Sequence, residues 1–301
     1  MASSKKNKVL RLIDMLFSVI GERDRVSFVL IDTYSTQNFY YAVILSRFCR
    51  FFDLNYIPIL RGGNLPARLK NNPSLTRKLF GGAYTNVAPS HYLLEAFREM
   101  GYDNLTYIPN TIAISNYPFK RRQSVQPKLL WVRSFAALYH PMLAVKVLEL
   151  LISKGFEASL CMVGPEKDGS LQQCKSYAER HALPISFTGK LEKSEWIDLA
   201  ASFDIFMNTT TVDNTPVSVI EAMALGLPVV STNVGGIPYL LEHNRDALLV
   251  PPNNEEVFAS EIERLVAHPE LAHSLSQAGR DKVAQFDWEN VKHLWMRLLH
   301  E

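Results

Sequence analysis

Apolar positions along this chain follow two periods that take turns. From Lys8 to Ile20, Val9, Leu10, Ile13, Leu16, Phe17 and Ile20 form a helical stripe. Phe28–Ile31 is a short continuous apolar run, the form of a strand buried on both faces in a parallel sheet. Asn38–Phe52 reads as a helix dense in aromatics, and Tyr56–Leu60 as a strand running into Arg61-Gly62-Gly63-Asn64-Leu65-Pro66. Pro66–Phe80 interleaves Arg68, Lys70, Arg77 and Lys78 with Leu69, Leu75, Leu79 and Phe80. That amphipathic pattern suits an anionic lipid surface or an ordinary solvated face, and Pro73 cuts it into two short helices. Thr85–Ala88 and Thr106–Ile108 read as strands around a helix at His91–Met100, with Ser90 placed to cap it.

The second half alternates more regularly. Strands are expected at Leu129–Val132, Ala158–Val163, Ile185–Thr188 and Ile205–Met207. Helices are expected at Pro141–Ser153, Leu171–His181 and Lys193–Ser202, and again from Glu255 to a break at Phe286-Asp287-Trp288. Such alternation implies right-handed crossovers and a parallel sheet. Between the halves, Tyr117–Pro127 carries Lys120, Arg121, Arg122 and two prolines, the composition of a linker.

One stretch organises the rest. Asp213 opens a loop, Glu221 follows on a helix of small residues, Gly226 ends that helix, and Pro228-Val229-Val230 starts a buried strand. Gly235-Gly236 then makes a tight turn.

Composition narrows the classes. At 47% hydrophobic and 21% charged over 301 residues, the chain is globular and long enough for two cores. Its three cysteines, Cys49, Cys161 and Cys174, are far apart, which suits reduced thiols rather than a disulfide framework or a zinc site. No signal peptide and no membrane-spanning apolar run is evident, which gives a cytoplasmic expectation. The net charge of +2 conceals an asymmetry: residues 1–125 hold 17 Lys+Arg against 8 Asp+Glu, and the remainder 15 against 22. A basic first half suits an anionic partner such as a lipid surface, a phosphorylated acceptor or nucleic acid, or simply a well-solvated surface.

In parallel α/β sheets, ligands lie beyond the carboxyl ends of the strands. Those ends here carry Arg133, Gly164, Thr188-Gly189, Asn208 and the Asp213–Glu221 segment. The set suits a nucleotide diphosphate. Arg133 offers a fork to phosphate oxygens, and the backbone amides of Thr215–Ser218 point at negative charge from a helix start. Glu221 and Asp213 can accept from ribose and sugar hydroxyls. Taken singly, each has a plain structural reading: a dipole complement, a surface ion pair, a turn. Taken together on one face, they read as a site.

The pattern from Asp213 to Gly236, a Glu-x7-Glu motif followed by Ala-Met-Ala-x-Gly-x-Pro-Val-Val and Gly-Gly, resembles the retaining glycosyltransferases of the GT-B fold, family four (group 1). Asp213 stands in place of the first glutamate. Weaker matches are Ile108-Pro109-Asn110, Val132-Arg133, Val163-Gly164, Phe187-Thr188-Gly189 and the Asp287-Trp288 break. The resemblance implies an α/β chain of two Rossmann-like domains facing across a cleft. Residues 1–122 would form the acceptor domain, 123–285 the donor domain, and 286–301 a helix crossing back to the first. It also implies that an opening strand, glycine loop and helix are missing, so that the first domain is shortened.

The implied activity is hexosyl transfer from a nucleotide-diphospho-sugar to a glycan or lipid-linked acceptor, with retention, in bacterial polysaccharide or glycolipid synthesis. No metal or other cofactor is expected, and no nucleic-acid partner; an anionic membrane surface on the cytoplasmic face is. Arg133, Asp213 and Glu221 would be catalytic. Gly164, Gly189, Lys190, Leu191, Asn214, Thr215, Pro216, Val217 and Ser218 would line the donor with Glu221. Arg61, Gly62, Gly63 and Asn110 would face the acceptor. Three positions depart from the family pattern: Leu138 replaces a lysine, Arg61 a histidine, and Pro216 lies where a glycine is usual. A shortened, non-catalytic relative that binds a nucleotide sugar or a partner is the alternative, and a sugar-nucleotide epimerase a more distant one.

Overall fold

Every strand anticipated from the apolar runs forms, and all pair in parallel. The computed structural model describes residues 3–5 and 7–300 and divides into two units, Met1–Pro109 with His293–Glu301, and Asn110–Lys292.

The first unit runs α1 (Lys8–Glu22), β1 (Phe28–Thr33), α2 (Phe39–Phe51), β2 (Asn55–Leu60), α3 (Leu65–Asn71), α4 (Pro73–Phe80), β3 (Asn86–Ala88), α5 (His91–Glu99) and β4 (Leu105–Tyr107). Its sheet has the order β1-β2-β3-β4. Asn7 caps α1 by accepting from Val9 and Leu10, and the Ser90 hydroxyl accepts from Leu93 N to start α5. Pro73 separates α3 from α4 as its missing N–H requires. Leu69, Leu79 and Phe80 are buried in the core of this unit. The apolar face of that basic segment is therefore turned inward, and of its four basic side chains Lys70, Arg77 and Lys78 are exposed.

The second unit runs β5 (Lys128–Val132), α6 (Pro141–Ser153), β6 (Ser159–Val163), α7 (Ser170–Arg180), β7 (Ile185–Gly189), α8 (Lys193–Ala200) and β8 (Ile205–Asn208). It continues with α9 (Val217–Ala224), β9 (Val229–Thr232), α10 (Ile237–Leu240), β10 (Leu248–Val250), α11 (Glu255–Ala267), α12 (Pro269–Val283) and the start of α13 (Trp288–His300). The strand order is β10-β9-β8-β5-β6-β7. Alternate strand residues supply two cores, Leu129, Trp131, Met162 and Met207 on one face, Leu130, Cys161, Val163 and Phe206 on the other. Burial on both faces is why these strands read as continuous apolar runs. The three cysteines are free and buried, and burial pushes the thiols of Cys49 and Cys174 up to about 11 and about 12. They are poor nucleophiles at neutral pH. No helix is long and apolar enough to cross a membrane among the described residues.

The expected linker at Tyr117–Pro127 is corrected. The units divide at Pro109–Asn110 rather than near residue 122, and Tyr117, Arg122 and Val125 are buried in the second unit. Arg122 is the reason. Its Nη1 donates to the carbonyls of Lys120, Leu225 and Gly226 at 3.0, 3.1 and 2.8 Å, and its Nη2 to Phe203 at 2.8 Å. Asp204 lies 3.7 Å from its Nε. A guanidinium is the one side chain with enough donors for such a set. Burial pushes it down to about 10, so it is still charged at neutral pH.

Replacing Arg122 by Ala strips the donors from several carbonyls at once. The expected loss is about 2–4 kcal/mol in denaturant unfolding. A loss under about 0.5 kcal/mol, the level of an ordinary surface change, would show that those carbonyls find other donors.

Candidate active site

The strand order creates a switch point. After β5 the chain moves toward β6, and after β8 toward β9, so the connections leave two neighbouring strands in opposite directions. Doubly wound sheets bind ligands in the crevice at this place. Arg133 stands at the end of β5, and the Asn208–Pro216 segment follows β8 into α9.

Arg133 and Asp213 meet there. Arg133 Nη2 is ion-paired with Asp213 Oδ2, and the two side chains are 15% and 13% exposed. The guanidinium lies 4.5 Å from the centroid of the Tyr139 ring, a cation–π arrangement that fixes its plane. Its Nε is buried with no partner among the described residues. Burial pushes Arg133 down to about 10, against the opposing pull of Tyr139. Asp213 Oδ1 accepts from Asn214 N at 2.9 Å. Leu138 provides a backbone clamp. Its carbonyl accepts from Thr211 N and Oγ1, both at 2.9 Å, fastening the segment after β8.

Glycines let these loops approach. A Cβ on Gly164 would lie 1.7 Å from the Arg133 carbonyl oxygen, and its φ is +150°. A Cβ on Gly235 would lie 2.4 Å from Asp213 O, and one on Gly236 2.1 Å from Asn214 O. Gly236 N also donates to Asp213 O at 2.9 Å. The glycine pair is thus the floor on which the Asp213 loop rests.

The start of α9 is open to an anion. Pro216 is its N-cap residue and no acid occupies its first turn. As at any helix start, the amides of Val217 and Ser218 have no intrahelical acceptor. Ser218 Oγ is buried without a partner among the described residues. Asn214 and Thr215 are buried just before it. One turn in, Glu221 is buried, and its Oε1 accepts from Tyr117 Oη at 2.7 Å and from Lys193 Nζ.

The remaining donor residues frame the crevice. Gly189 ends β7 at φ +73° and accepts from Gly164 N at 2.8 Å. Lys190 is exposed and ion-paired with Glu192 at 2.9 Å, and Leu191 packs onto the core under α9. Between β6 and α7, Glu166 folds back into its own loop: Oε1 accepts from the amides of Lys167, Asp168 and Gly169, and Oε2 from Leu171. Asp168 accepts from Ala137 N at 2.7 Å, tying this loop to the one after β5. Those hydrogen bonds hold both carboxyls below their usual range.

Among the expected acceptor residues, Asn110 belongs to the second unit, and its Nδ2 donates to Thr215 O at 3.0 Å, which fastens the segment before α9. Arg61, Gly62 and Gly63 lie in the first unit at the end of β2. There Arg61 pairs with Asp32 at 2.8 Å, and Gly62 packs against Ser35, where a Cβ would lie 2.4 Å from Ser35 N. Sequence reasoning missed Tyr117, Lys193, Glu166 and Asp168. A carboxylate between Gly164-Pro165 and a helix start is a readable N-terminal signal for Glu166. Nothing in the sequence pairs Tyr117 with a residue over a hundred positions away. Among the described residues, no group of three or more His, Cys, Asp or Glu is arranged to hold a metal ion.

Residues 126–268 match the family described as Glycosyl transferases group 1. The matched stretch is 143 of the chain's 301 residues, and it is this part that resembles the family. Sulfoquinovosyl transferase SQD2 of Arabidopsis thaliana is 29% identical over 109 residues, 35% of this chain and 21% of that protein. The putative colanic acid biosynthesis glycosyltransferase WcaL of Salmonella typhimurium is 40% identical over 76 residues, 25% of this chain and 18% of that protein. The matches thus span about a fifth of the length of these curated relatives. Among solved structures, Anabaena HepE in complex with UDP and glucose superposes with a TM-score of 0.83 at 16% identity, covering 100% of this chain and 84% of HepE. Sucrose-phosphate synthase of Thermosynechococcus elongatus gives 0.82 at 16% identity, covering 100% of this chain and 81% of that one. The fold is GT-B-like, two α/β domains with parallel sheets.

Two glycine substitutions separate crowding from strain. Gly164→Ala combines both, and is expected to cost about 2–4 kcal/mol and to displace Arg133. Gly189→Ala has nothing within 4 Å and only its positive φ to oppose it, for about 1 kcal/mol. Equal losses in thermal unfolding would contradict the close approach at Gly164.

Proposed function

We propose that the second unit binds a nucleotide-diphospho-sugar at the β5/β8 switch point, and that the protein transfers the sugar to a glycan or lipid-linked acceptor in polysaccharide or glycolipid synthesis. One observation carries this reading. Arg133, Asp213 and the uncompensated start of α9 converge where β5 and β8 end, inside the stretch that matches the group 1 family. Support comes also from the solved neighbours described with UDP or UDP-glucose, and from relatives named for colanic acid and amylovoran biosynthesis.

In this reading the diphosphate faces the amides at the start of α9 and the Arg133 guanidinium. Glu221 accepts from the ribose diol, and Asp213 from hydroxyls of the transferred sugar. The base lies near Gly189, Lys190 and Leu191. As the bond between the sugar's anomeric carbon and the diphosphate breaks, negative charge grows on the diphosphate. Preorganised cations and dipoles stabilise it there, without a metal in this proposal. The acceptor hydroxyl adds to the same face of the sugar, its proton passes to a phosphate oxygen, and the configuration is retained. No protein nucleophile is required. Arg61, Gly62 and Gly63 are assigned to the acceptor side. Association with an anionic membrane surface rests on the exposed charges Lys70, Arg77 and Lys78 alone.

Titration with UDP, GDP and ADP, followed by donor hydrolysis with the matching nucleotide sugars, tests the reading. Glu221→Ala is expected to weaken nucleotide binding about tenfold to a hundredfold, the loss of a charge-assisted pair of hydrogen bonds. Asp213→Ala should retain the nucleoside diphosphate and lose turnover. A wild-type protein that binds none of the three nucleotides overturns the proposal.

A further inference from the structure

Glu221 carries two partners of opposite character. The Tyr117 ring is buried in the core beneath α9, and its phenol is held up first by burial and then by the hydrogen bond to Glu221. It stays protonated and always donates. Lys193 is 57% exposed while the Glu221 side chain is 4% exposed. The ammonium therefore stands on the solvent side of an otherwise closed carboxylate.

Lys193 is also placed against the helix dipole. It is the first residue of α8, where a cation is unfavourable. The helix start is already held by a capping box between Glu192 and Glu195. The Trp196 ring lies 5.7 Å from Nζ, a cation–π contact, and the Glu221 carboxylate is its ion-pair partner.

Resting on the reading of Glu221 as the ribose-binding group, we propose that Lys193 is a displaceable latch over Glu221 and Tyr117 its fixed anchor. In the free protein the ammonium occupies the carboxylate that a ribose diol would use. Nucleotide entry exchanges one ammonium for two hydroxyl donors, and Lys193 returns to water. Lysine is a compact, strongly hydrated charge on a flexible stem and this one already stands in water, so it can leave while the carboxylate keeps its phenol donor. The buried phenol does not leave. It holds the carboxylate in orientation through the exchange. Lys193 is therefore a positioning residue that tunes donor affinity without touching the reacting atoms.

The test compares UDP with 2′,3′-dideoxyuridine diphosphate, which lacks the diol, by calorimetry on wild type, Lys193→Met, Lys193→Arg and Tyr117→Phe. Removing a latch closed most of the time raises apparent affinity by the inverse of the open fraction, here about three- to tenfold. Lys193→Met should show that gain for UDP and not for the dideoxy probe, while Lys193→Arg, which keeps the ion pair, shows none. Tyr117→Phe should lose affinity for UDP and leave the dideoxy probe unchanged. Equal gains for both probes, or weaker UDP binding by Lys193→Met, overturns the latch alone. Absence of nucleotide binding by wild type and every variant overturns the underlying reading as well.

Discussion

The backbone of Asp213 and Asn214 rests on two residues without side chains, and the site depends on that contact. β8 and β9 pair with Asn208 opposite Ser231, which brings the loops that follow them side by side. Thr232 Oγ1 donates to Thr210 O at 2.6 Å and draws them closer. At that separation a Cβ on Gly235 or Gly236 would lie within the radius of a backbone oxygen. A side chain there would lift the Asp213 loop, and lifting it would part Asp213 from Arg133. Strand register, loop apposition, the need for glycine and the ion pair form one causal sequence.

That causal sequence explains why the Asp213–Gly236 stretch is legible from residue types alone. Its carboxylates, small-residue helix and paired glycines each answer a local requirement, so the residue types announce the geometry. The strands are legible because burial on both faces writes itself as uninterrupted apolar runs. β10, at Leu248–Val250, is not among the expected strands. The linker expectation fails because solvent exposure and backbone satisfaction can demand the same residue. Arg122 looks like a solvated charge, and what buries it is a set of carbonyls from Leu225, Gly226 and Phe203. The bond from Asn110 Nδ2 to the Thr215 carbonyl is illegible for a similar reason: its partner is a backbone atom distant in sequence. Pairings across the fold between a side chain and a backbone atom leave no trace in residue type or spacing.

The loops around the crevice are stiffened by carboxylates that satisfy amides rather than ligands. Glu166 accepts from amides of the loop that begins α7, and Asp168 carries the connection to Ala137. Oriented amides of this kind attract any anion, so a protein that needs one anion site must close the others. Glu166 does so at α7. The first turn of α9 has no equivalent acid. The loop entering α7 is thus closed by its own carboxylate, and the loop entering α9 is not.

The two carboxylates of the site are held differently, and the difference has a physical consequence. Asp213 is paired with a guanidinium as buried as itself, so neither charge can be withdrawn without stranding the other. Glu221 is paired with a phenol that cannot leave and an ammonium that can. In the proposed latch, a neutral diol displaces the ammonium because the carboxylate keeps a hydrogen-bond donor throughout and the freed cation gains water. No neutral ligand can displace Arg133 from Asp213 on those terms. An anion that engages the guanidinium while hydroxyls engage the aspartate satisfies both halves at once. In the proposed reading, a nucleotide-diphospho-sugar presents a diol, a diphosphate and sugar hydroxyls in that order to Glu221, the start of α9 with Arg133, and Asp213.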